Sequence, residues 1–225
     1  MSQTEQYDQR IARIMSKIEA LHDRKFSFSC GKWPPVWEPP MSEEDVAAFE
    51  AEKGIRLPGD YRRFITTIAG AGSQPFYGLL PLRQKEAAVE QPFPYTPDHI
   101  LYFLHMTEEE MDQFYDEDTP FTADNGLVAL CTEGDGMDSV LVVNSLDPDT
   151  YGTVWYYDLA NDCGIIPMHD KETGKPFRFL DWLEYWADRT AGLGSNEYFS
   201  FSETVQLPKA PDNPDIMGRK MGWIE

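Results

Sequence analysis

The middle of the chain has no basic residue. Between Lys85 and Lys171 there is neither lysine nor arginine, whereas this stretch contains 19 aspartate and glutamate residues. The acidic block, defined as residues 86–170, therefore carries nearly all of the net charge of −20. Such a field repels nucleic-acid phosphates and anionic lipid headgroups and raises the association rate of a basic protein. We expect a protein partner, and neither nucleic acid nor a membrane; the alternative is a solvated surface that keeps the protein soluble.

Cysteine is scarce and long apolar runs are missing. The three cysteines, Cys30, Cys131 and Cys163, are odd in number and widely spaced, which favours free thiols in a reducing compartment over a disulfide framework. No apolar run reaches the length of a membrane-spanning helix, and the N-terminus lacks the basic-then-apolar order of a secretory signal. The sequence therefore predicts a cytoplasmic protein.

Signatures of catalysis are also missing. The four histidines include no pair at metal-ligand spacing, and no Cys-x-x-Cys, Gly-x-Ser-x-Gly, P-loop or Gly-x-Gly-x-x-Gly motif occurs. The stretch from Asp147 to Asp158 imitates part of a calcium loop, but Tyr151 stands where a ligand is needed and predicted strands flank it. We interpret it as a hairpin turn. The sequence thus predicts a protein that is not an enzyme and has no cofactor and no metal site.

The chain has enough apolar residues to fold. Hydrophobic residues make up 41% of it and aromatic residues 13%, which suffices for one sizeable core. Apolar residues at helical spacing predict a first helix over residues 3–22. The Pro- and Trp-rich strap at 33–40 is expected to follow an extended path packed on the domain. Ser42 is predicted to cap a second helix, which Gly54 ends.

The segment from Leu57 to Gly72 gives the strongest local signal. Pro58 suits the first helical position, and Gly70 suits the left-handed position after a helix. Positions i, i+3, i+4 and i+7 between them form one apolar face, occupied by Tyr61, Phe64, Ile65 and Ile68. We predict a three-turn helix that pairs with the preceding helix.

Strand patterns dominate the second half of the chain. The first strand is predicted from Phe76 to Leu82, followed by a mixed segment over 83–126 that includes a short helix capped by Thr107. Four further strands are predicted at 127–131, 139–144, 153–157 and 163–167. The turn signals between them favour an antiparallel meander, and a final amphipathic helix runs from Phe177 to Gly192.

The predicted fold class is therefore α+β. We expect an antiparallel or mixed sheet of about five to six strands, covered by N-terminal helices and a C-terminal helix. Residues 1–225 are predicted to form a single domain. Within it, residues 1–36 form the first helix and the strap, residues 37–190 the core, and residues 191–225 a C-terminal extension.

The order of these motifs resembles the SUKH superfamily. The resemblance covers residues 37–188 and rests on Phe49-Glu50 before Gly54, then Leu57, Pro58, Tyr61, Phe64, Gly70 and Gly72, then Gly134-Asp135 and the helix from Phe177 to Leu183. This superfamily includes bacterial immunity proteins and fungal cell-wall-assembly regulators. For a bacterial member, the resemblance implies an immunity protein that binds and neutralises a toxin, often a nuclease, delivered between neighbouring cells. The acidic block agrees with this, because a nuclease presents a basic surface to nucleic acid.

The candidate contact residues lie in the acidic block. The carboxylates expected to pair with Lys and Arg of a cognate toxin are Asp116, Glu117, Asp118, Glu133, Asp135, Asp138, Asp158 and Asp162. Trp155 and Tyr157 share one face of a predicted strand and are expected to add apolar anchorage, unless both faces are covered. Two alternatives stay open: a scaffold or regulatory adaptor of the same fold without a toxin partner, and a hydrolase that uses clustered carboxylates. The sequence leaves the oligomeric state open.

Overall fold

The structure, a computed structural model, describes residues 1–21, 35–83, 88–116, 118, 120–194 and 197–205. Its helices are α1 (Gln3–Glu19), α2 (Glu43–Lys53), α3 (Gly59–Thr67), α4 (Glu108–Phe114) and α5 (Phe179–Gly192). Its strands are β1 (Leu101–Tyr102), β2 (Leu127–Gly134), β3 (Met137–Val142), β4 (Val154–Asp158) and β5 (Gly164–Pro167). Short 3-10 helices occupy Phe103–His105 and Phe201–Thr204. The α+β class is confirmed, while the predictions for residues 22–34 and for the tail after Val205 lie outside the described residues.

All five strands form one antiparallel sheet in the order β1-β5-β4-β3-β2. Strands β2 to β5 pair with their neighbours in sequence, so the predicted meander is confirmed. Asp135 and Gly136 join β2 to β3 with φ angles of 51° and 81°, as a two-residue turn with two left-handed positions requires. The β2–β3 and β4–β5 turns therefore lie together at one end of the sheet, called here the tip end, and the β3–β4 loop lies at the other.

The two faces of the sheet are covered differently. Helices α1, α3 and α5 pack against one another, and together with the inward residues of the sheet they form the larger core cluster. Residues of β3 alternate between the faces, since Leu141 belongs to this cluster while Val140 and Val142 belong to the cluster on the other face. That second cluster is closed by α4 and by the chain around Phe93. Both faces of the sheet are thus buried.

Strand β2 at the outer edge of the sheet is covered by an irregular segment. The stretch from Phe76 to Leu82 is not the predicted strand, because it consists of turns and its first residue has a φ of 48°. Even so, the amides of Tyr77 and Leu80 donate hydrogen bonds to the carbonyls of Thr132 and Leu130 at 3.3 and 2.8 Å. The segment thereby occupies an edge that could otherwise pair with another chain.

Asp60 joins the signature helix α3 to the closing helix α5. Its Oδ2 accepts a hydrogen bond from the Leu180 amide in the first turn of α5 at 3.2 Å, and its Oδ1 accepts one from the Tyr61 amide at 2.9 Å. Amides in the first turn of a helix have no partner within the helix, so the side chain of Asp60 acts as a cap supplied by another element. Burial raises the pKa of Asp60, although both amides favour its charged form. The signature thus includes a residue that positions α5.

Gly70 and Gly72 provide space for the strap. The predicted left-handed role of Gly70 is wrong, because α3 ends with Ile68 in the right-handed region. A Cβ atom on Gly72 would lie 2.4 Å from the ring of Trp37, and one on Gly70 would lie 2.9 Å from Cγ of Met41. Both distances are shorter than van der Waals contact. The predicted packing of the strap on the domain is therefore confirmed for its described part.

Replacing Gly72 with alanine is expected to lower the free energy of unfolding by about 2 kcal/mol, because the Trp37 ring must move to admit the methyl group. Urea denaturation followed by circular dichroism measures this change. Gly192→Ala is the matched control, since no atom lies within 4 Å of the added methyl, and it should leave the stability unchanged or slightly raised. Equal stability of the two variants would contradict this role of Gly72.

Candidate functional site

The predicted contact carboxylates divide into an exposed and a buried set. The exposed ones are Asp116, Asp118, Asp135 and Asp162. The buried ones are Glu133, Asp138 and Asp158, with 3%, 7% and 5% of their surface exposed. Glu117 lies outside the described residues. Only the exposed set can meet a partner without a rearrangement of the fold, which corrects the predicted surface role of the other three.

The exposed carboxylates gather at the tip end. Nδ2 of Asn161 donates a hydrogen bond to the main-chain carbonyl of Asp135 at 3.0 Å, which ties the β4–β5 turn to the β2–β3 turn. Asp162, in the same turn as Asn161, accepts a hydrogen bond from the Tyr115 hydroxyl at 3.4 Å. Asp116 follows Tyr115 directly in the chain. The end of α4 and two turns of the sheet therefore form one continuous surface.

Glu133, near the end of β2, faces the interior and holds the C-terminal segment, defined as residues 197–205. Its Oε1 accepts a hydrogen bond from the amide of Phe201 at 3.0 Å. Burial raises the pKa of Glu133 to about 7. The carboxylates of Asp158 and Glu203 also raise this pKa, whereas hydrogen bonds from Ser200 and Phe201 lower it. The side chain thus fixes a neighbouring segment and does not reach the surface.

Asp158 and Asp138 shape the tip end from inside. The Asp158 carboxylate accepts hydrogen bonds from the amide and the side chain of Asn161 at 3.1 and 2.7 Å. Asp138 lies on β3, directly opposite Tyr157 of β4. Asp158 therefore supports the β4–β5 turn, which carries Asp162, while Asp138 is buried within the sheet.

Trp155 and Tyr157 share one face of β4, as predicted, but that face is covered. Trp155 is fully buried, its ring lies 4.9 Å from that of Phe93, and its Nε1 donates a hydrogen bond to Oγ1 of Thr153 at 2.8 Å. Tyr157 is half-buried, and its hydroxyl donates to Oδ1 of Asp124 at 2.6 Å. Trp155 therefore belongs to the core, and its predicted role as a surface anchor is corrected.

Two exposed tyrosines flank the tip end, and the sequence patterns did not single them out. Tyr77 is 61% exposed and Tyr115 is 56% exposed. A Cβ atom on Gly134 would lie 3.0 Å from the Tyr77 ring, so this ring lies against the last residue of β2. The available signal was an aromatic residue beside Asp116 at the end of a short helix. Because Tyr115 does not fall on the apolar face of a predicted helix or strand, the sequence does not require its side chain in the core.

Basic side chains are concentrated in the helical layer, where carboxylates neutralise them. Arg10, Arg13 and Lys17 of α1 contact Glu184 of α5 at 3.0, 3.0 and 2.9 Å. Burial alone would raise the pKa of Glu184, but the hydrogen bonds from these three residues lower it to about 2. Arg63 likewise pairs with Asp8 at 2.6 Å.

At the tip end the carboxylates have no such partners. Among the residues that the structure describes, no ion pair involves Asp116, Asp118, Asp135 or Asp162. Within the described residues, the negative charge of the tip end is therefore uncompensated, and it attracts a cationic partner and adds to the association rate.

Other kinds of site find little support in the described residues. Within those ranges, no group of three or more His, Cys, Asp and Glu side chains could hold a metal ion, and no helix is long and apolar enough to cross a membrane. A cleft of about 560 Å³ lies beside α1, α5 and the loop at 170–178. Arg10 in its wall is already paired with Asp181 and Glu184. The tip end is therefore the candidate functional site.

Comparison with known proteins identifies the fold family. Neither a curated protein nor a solved structure matches the chain. The model of the SMI1 / KNR4 family (SUKH-1) matches residues 40–186, a range that contains α2, α3, the whole sheet and the first half of α5. Because this match covers more than half of the chain, the protein belongs to the SMI1/KNR4 (SUKH-1) family.

Proposed function

We propose that this protein is a non-enzymatic immunity protein, which binds a cognate basic toxin through the exposed carboxylates of the tip end. Membership of the SMI1/KNR4 family supports a protein of the immunity or regulator type, and this family is generally non-catalytic. One observation supports the tip end as the binding surface. Asp116, Asp118, Asp135 and Asp162 gather there, and none of them forms an ion pair among the described residues.

The proposed partner is basic because of charge complementarity. A toxin that acts on nucleic acid must present Lys and Arg to phosphates, and an acidic protein bound there blocks the same surface. Carboxylates that have no cation nearby lose no existing ion pair when such a partner binds. The negative field also accelerates the encounter, and this acceleration declines as salt screens the charges.

The decisive experiment uses the protein encoded by the adjacent gene as the candidate toxin. We expect co-expression of this protein to protect cells from the toxin, and the purified pair to bind. Asp116→Asn combined with Asp118→Asn should weaken binding about tenfold, mainly by slowing association. Binding is measured by surface plasmon resonance at two salt concentrations.

The matched control removes the same charge at the opposite end of the sheet, by Asp149→Asn in the β3–β4 loop combined with Glu172→Gln in the turn after β5. Both residues are exposed. If the control weakens binding as much as the tip-end variant does, general charge and not this surface is responsible. Failure of the protein to protect cells from any neighbouring toxin would overturn the immunity proposal.

The second candidate is a regulatory adaptor, which the regulator-type members of the family favour. An adaptor of this fold would use the same acidic surface on a basic protein of its own cell. It predicts binding without any protection from toxicity, so the co-expression assay separates the two functions.

A further inference from the structure

The tip end has a continuous outer rim. The tip rim consists of Tyr77, Asp135, Asn161, Asp162 and Tyr115, in this spatial order. Tyr77 lies against the base of the β2–β3 turn, the side chain of Asn161 bonds to the carbonyl of Asp135, and Asp162 accepts from the hydroxyl of Tyr115. The rim therefore presents two carboxylates between two exposed aromatic rings.

Close packing holds the two turns of the rim together. A Cβ atom on Gly136, in the β2–β3 turn, would lie 2.4 Å from Cβ of Ala160 in the β4–β5 turn. Gly136 is thus the residue that lets the turns approach. The two carboxylates on the rim belong to residues with left-handed φ angles of 51° and 54°. Their backbone positions are set by the turns, so the spacing of the charges is part of the fold.

The ring of Tyr115 is held in place although more than half of the residue is exposed. It stacks on Phe103 at 5.9 Å with an interplanar angle of 22°, and it meets Phe114 edge-on at 5.1 Å. A fixed ring loses little conformational entropy when a partner covers it. Large exposed aromatics are typical anchors of protein interfaces.

We propose that the tip rim binds an arginine-bearing segment of the partner protein, with guanidinium groups stacked on Tyr77 and Tyr115 and paired with Asp135 and Asp162. This inference rests on the proposed function, since it assumes a basic partner. Arginine fits better than lysine, because a planar guanidinium both stacks on an aromatic ring and bonds to a carboxylate through two parallel N–H groups. Among the residues that the structure describes, no lysine or arginine pairs with Asp135 or Asp162.

The test uses a short synthetic peptide of alternating arginine and glycine, titrated into the full chain in a calorimeter at about 0.15 M salt, where long-range attraction is screened. A peptide with lysine in place of arginine is the probe for side-chain preference. We expect the arginine peptide to bind at least several-fold more tightly than the lysine peptide. Tyr77→Ala combined with Tyr115→Ala should weaken the arginine peptide about tenfold and remove the preference.

Two pairs of substitutions test the rings and the carboxylates separately, and a third pair is the control for net charge. Tyr77→Phe combined with Tyr115→Phe keeps both rings and should change the affinity less than about twofold. Asp135→Asn combined with Asp162→Asn removes two charges at positions with left-handed backbone, which asparagine tolerates, and should weaken binding about tenfold. The control pair Asp149→Asn and Glu172→Gln removes the same charge elsewhere and should leave the affinity nearly unchanged.

Several outcomes would overturn the inference. Equal affinity for both peptides, or equal loss from the rim pair and the control pair of charge variants, would show that only net charge acts. If light scattering shows self-association that the rim variants abolish, then a second copy of this chain occupies the tip rim. If the rim variants still bind the toxin and still protect cells, the rim inference fails while the proposed function stands. If no toxin is bound at all, the proposed function fails whatever the peptides do.

Discussion

Replacing Trp182 with alanine is expected to lower the free energy of unfolding by about 3–5 kcal/mol. Trp182 is fully buried in α5 and touches three parts of the molecule. Its ring stacks on Phe201 of the C-terminal segment at 5.4 Å and lies 5.8 Å from Phe179, and its Nε1 donates a hydrogen bond to Oγ of Ser139 in β3 at 3.1 Å. The alanine variant leaves a cavity and removes the hydrogen bond to a buried hydroxyl, and both contribute to the loss.

Urea denaturation followed by far-ultraviolet circular dichroism measures this loss. Tyr198→Ala is the matched control, since Tyr198 is a large aromatic in the C-terminal segment that is 73% exposed, and its removal should cost less than about 0.5 kcal/mol. Trp182→Phe keeps a ring in place and should fall between the two. A stability of Trp182→Ala close to that of Tyr198→Ala would show that this ring does not join the helix, the sheet and the C-terminal segment.

The parts of the fold that depend on local chemistry could be predicted from the sequence. Ser42 and Thr107 accept hydrogen bonds from the third helical amide, as their positions indicated, and Gly54 takes a left-handed φ of 66° at the end of α2. The hairpin turn at Asp135-Gly136 follows from residues that tolerate positive φ. A small shift places Pro58 at the N-cap position instead of the first helical position.

Features that depend on distant residues could not be predicted in this way. Gly70 and Gly72 lie at a helix end in sequence, but what requires them is the strap and the adjoining Met41, about 30 residues earlier in the chain. The apolar stretch from Phe76 to Leu82 has the composition of a strand, yet its backbone turns away after two hydrogen bonds to β2. Composition alone does not distinguish an edge strand from a segment that covers an edge.

The site was predicted only in part, because burial was not visible in the sequence. The acidic block and its turns were recognised, whereas the face on which each carboxylate lies depends on the register of β2. That strand has irregularities between Ala129 and Cys131 and between Thr132 and Gly134. Each one interrupts the alternation of inward and outward residues. Glu133 consequently lies inside the protein, a position that the alternation of a regular strand does not predict.

Replacing Glu133 with glutamine is expected to remove a large pH dependence of stability. Burial raises the pKa of Glu133 from 4.5 to about 7 in the folded protein, so the folded state holds a proton that the unfolded state releases between these values. The stabilisation is complete below pH 4.5 and is lost as the pH rises through 7. At pH 8 the ionised wild type should therefore be less stable by about 3 kcal/mol than at pH 4.5 from this group alone.

Glutamine has nearly the same shape and cannot ionise, so its carbonyl can still accept the hydrogen bond from the Phe201 amide. We expect Glu133→Gln to match the wild type near pH 4.5 and to exceed its stability at pH 8 by up to about 3 kcal/mol, measured by urea denaturation at both values. Glu109→Gln, a substitution of an exposed residue on α4, is the control for a change of net charge.

Because Glu133 bonds to the C-terminal segment and lies next to Asp158, its ionisation should first loosen that segment. We expect hydrogen exchange at the Phe201 amide to accelerate above pH 7 in the wild type and not in Glu133→Gln. Parallel pH profiles of stability in the two proteins would refute the role of Glu133.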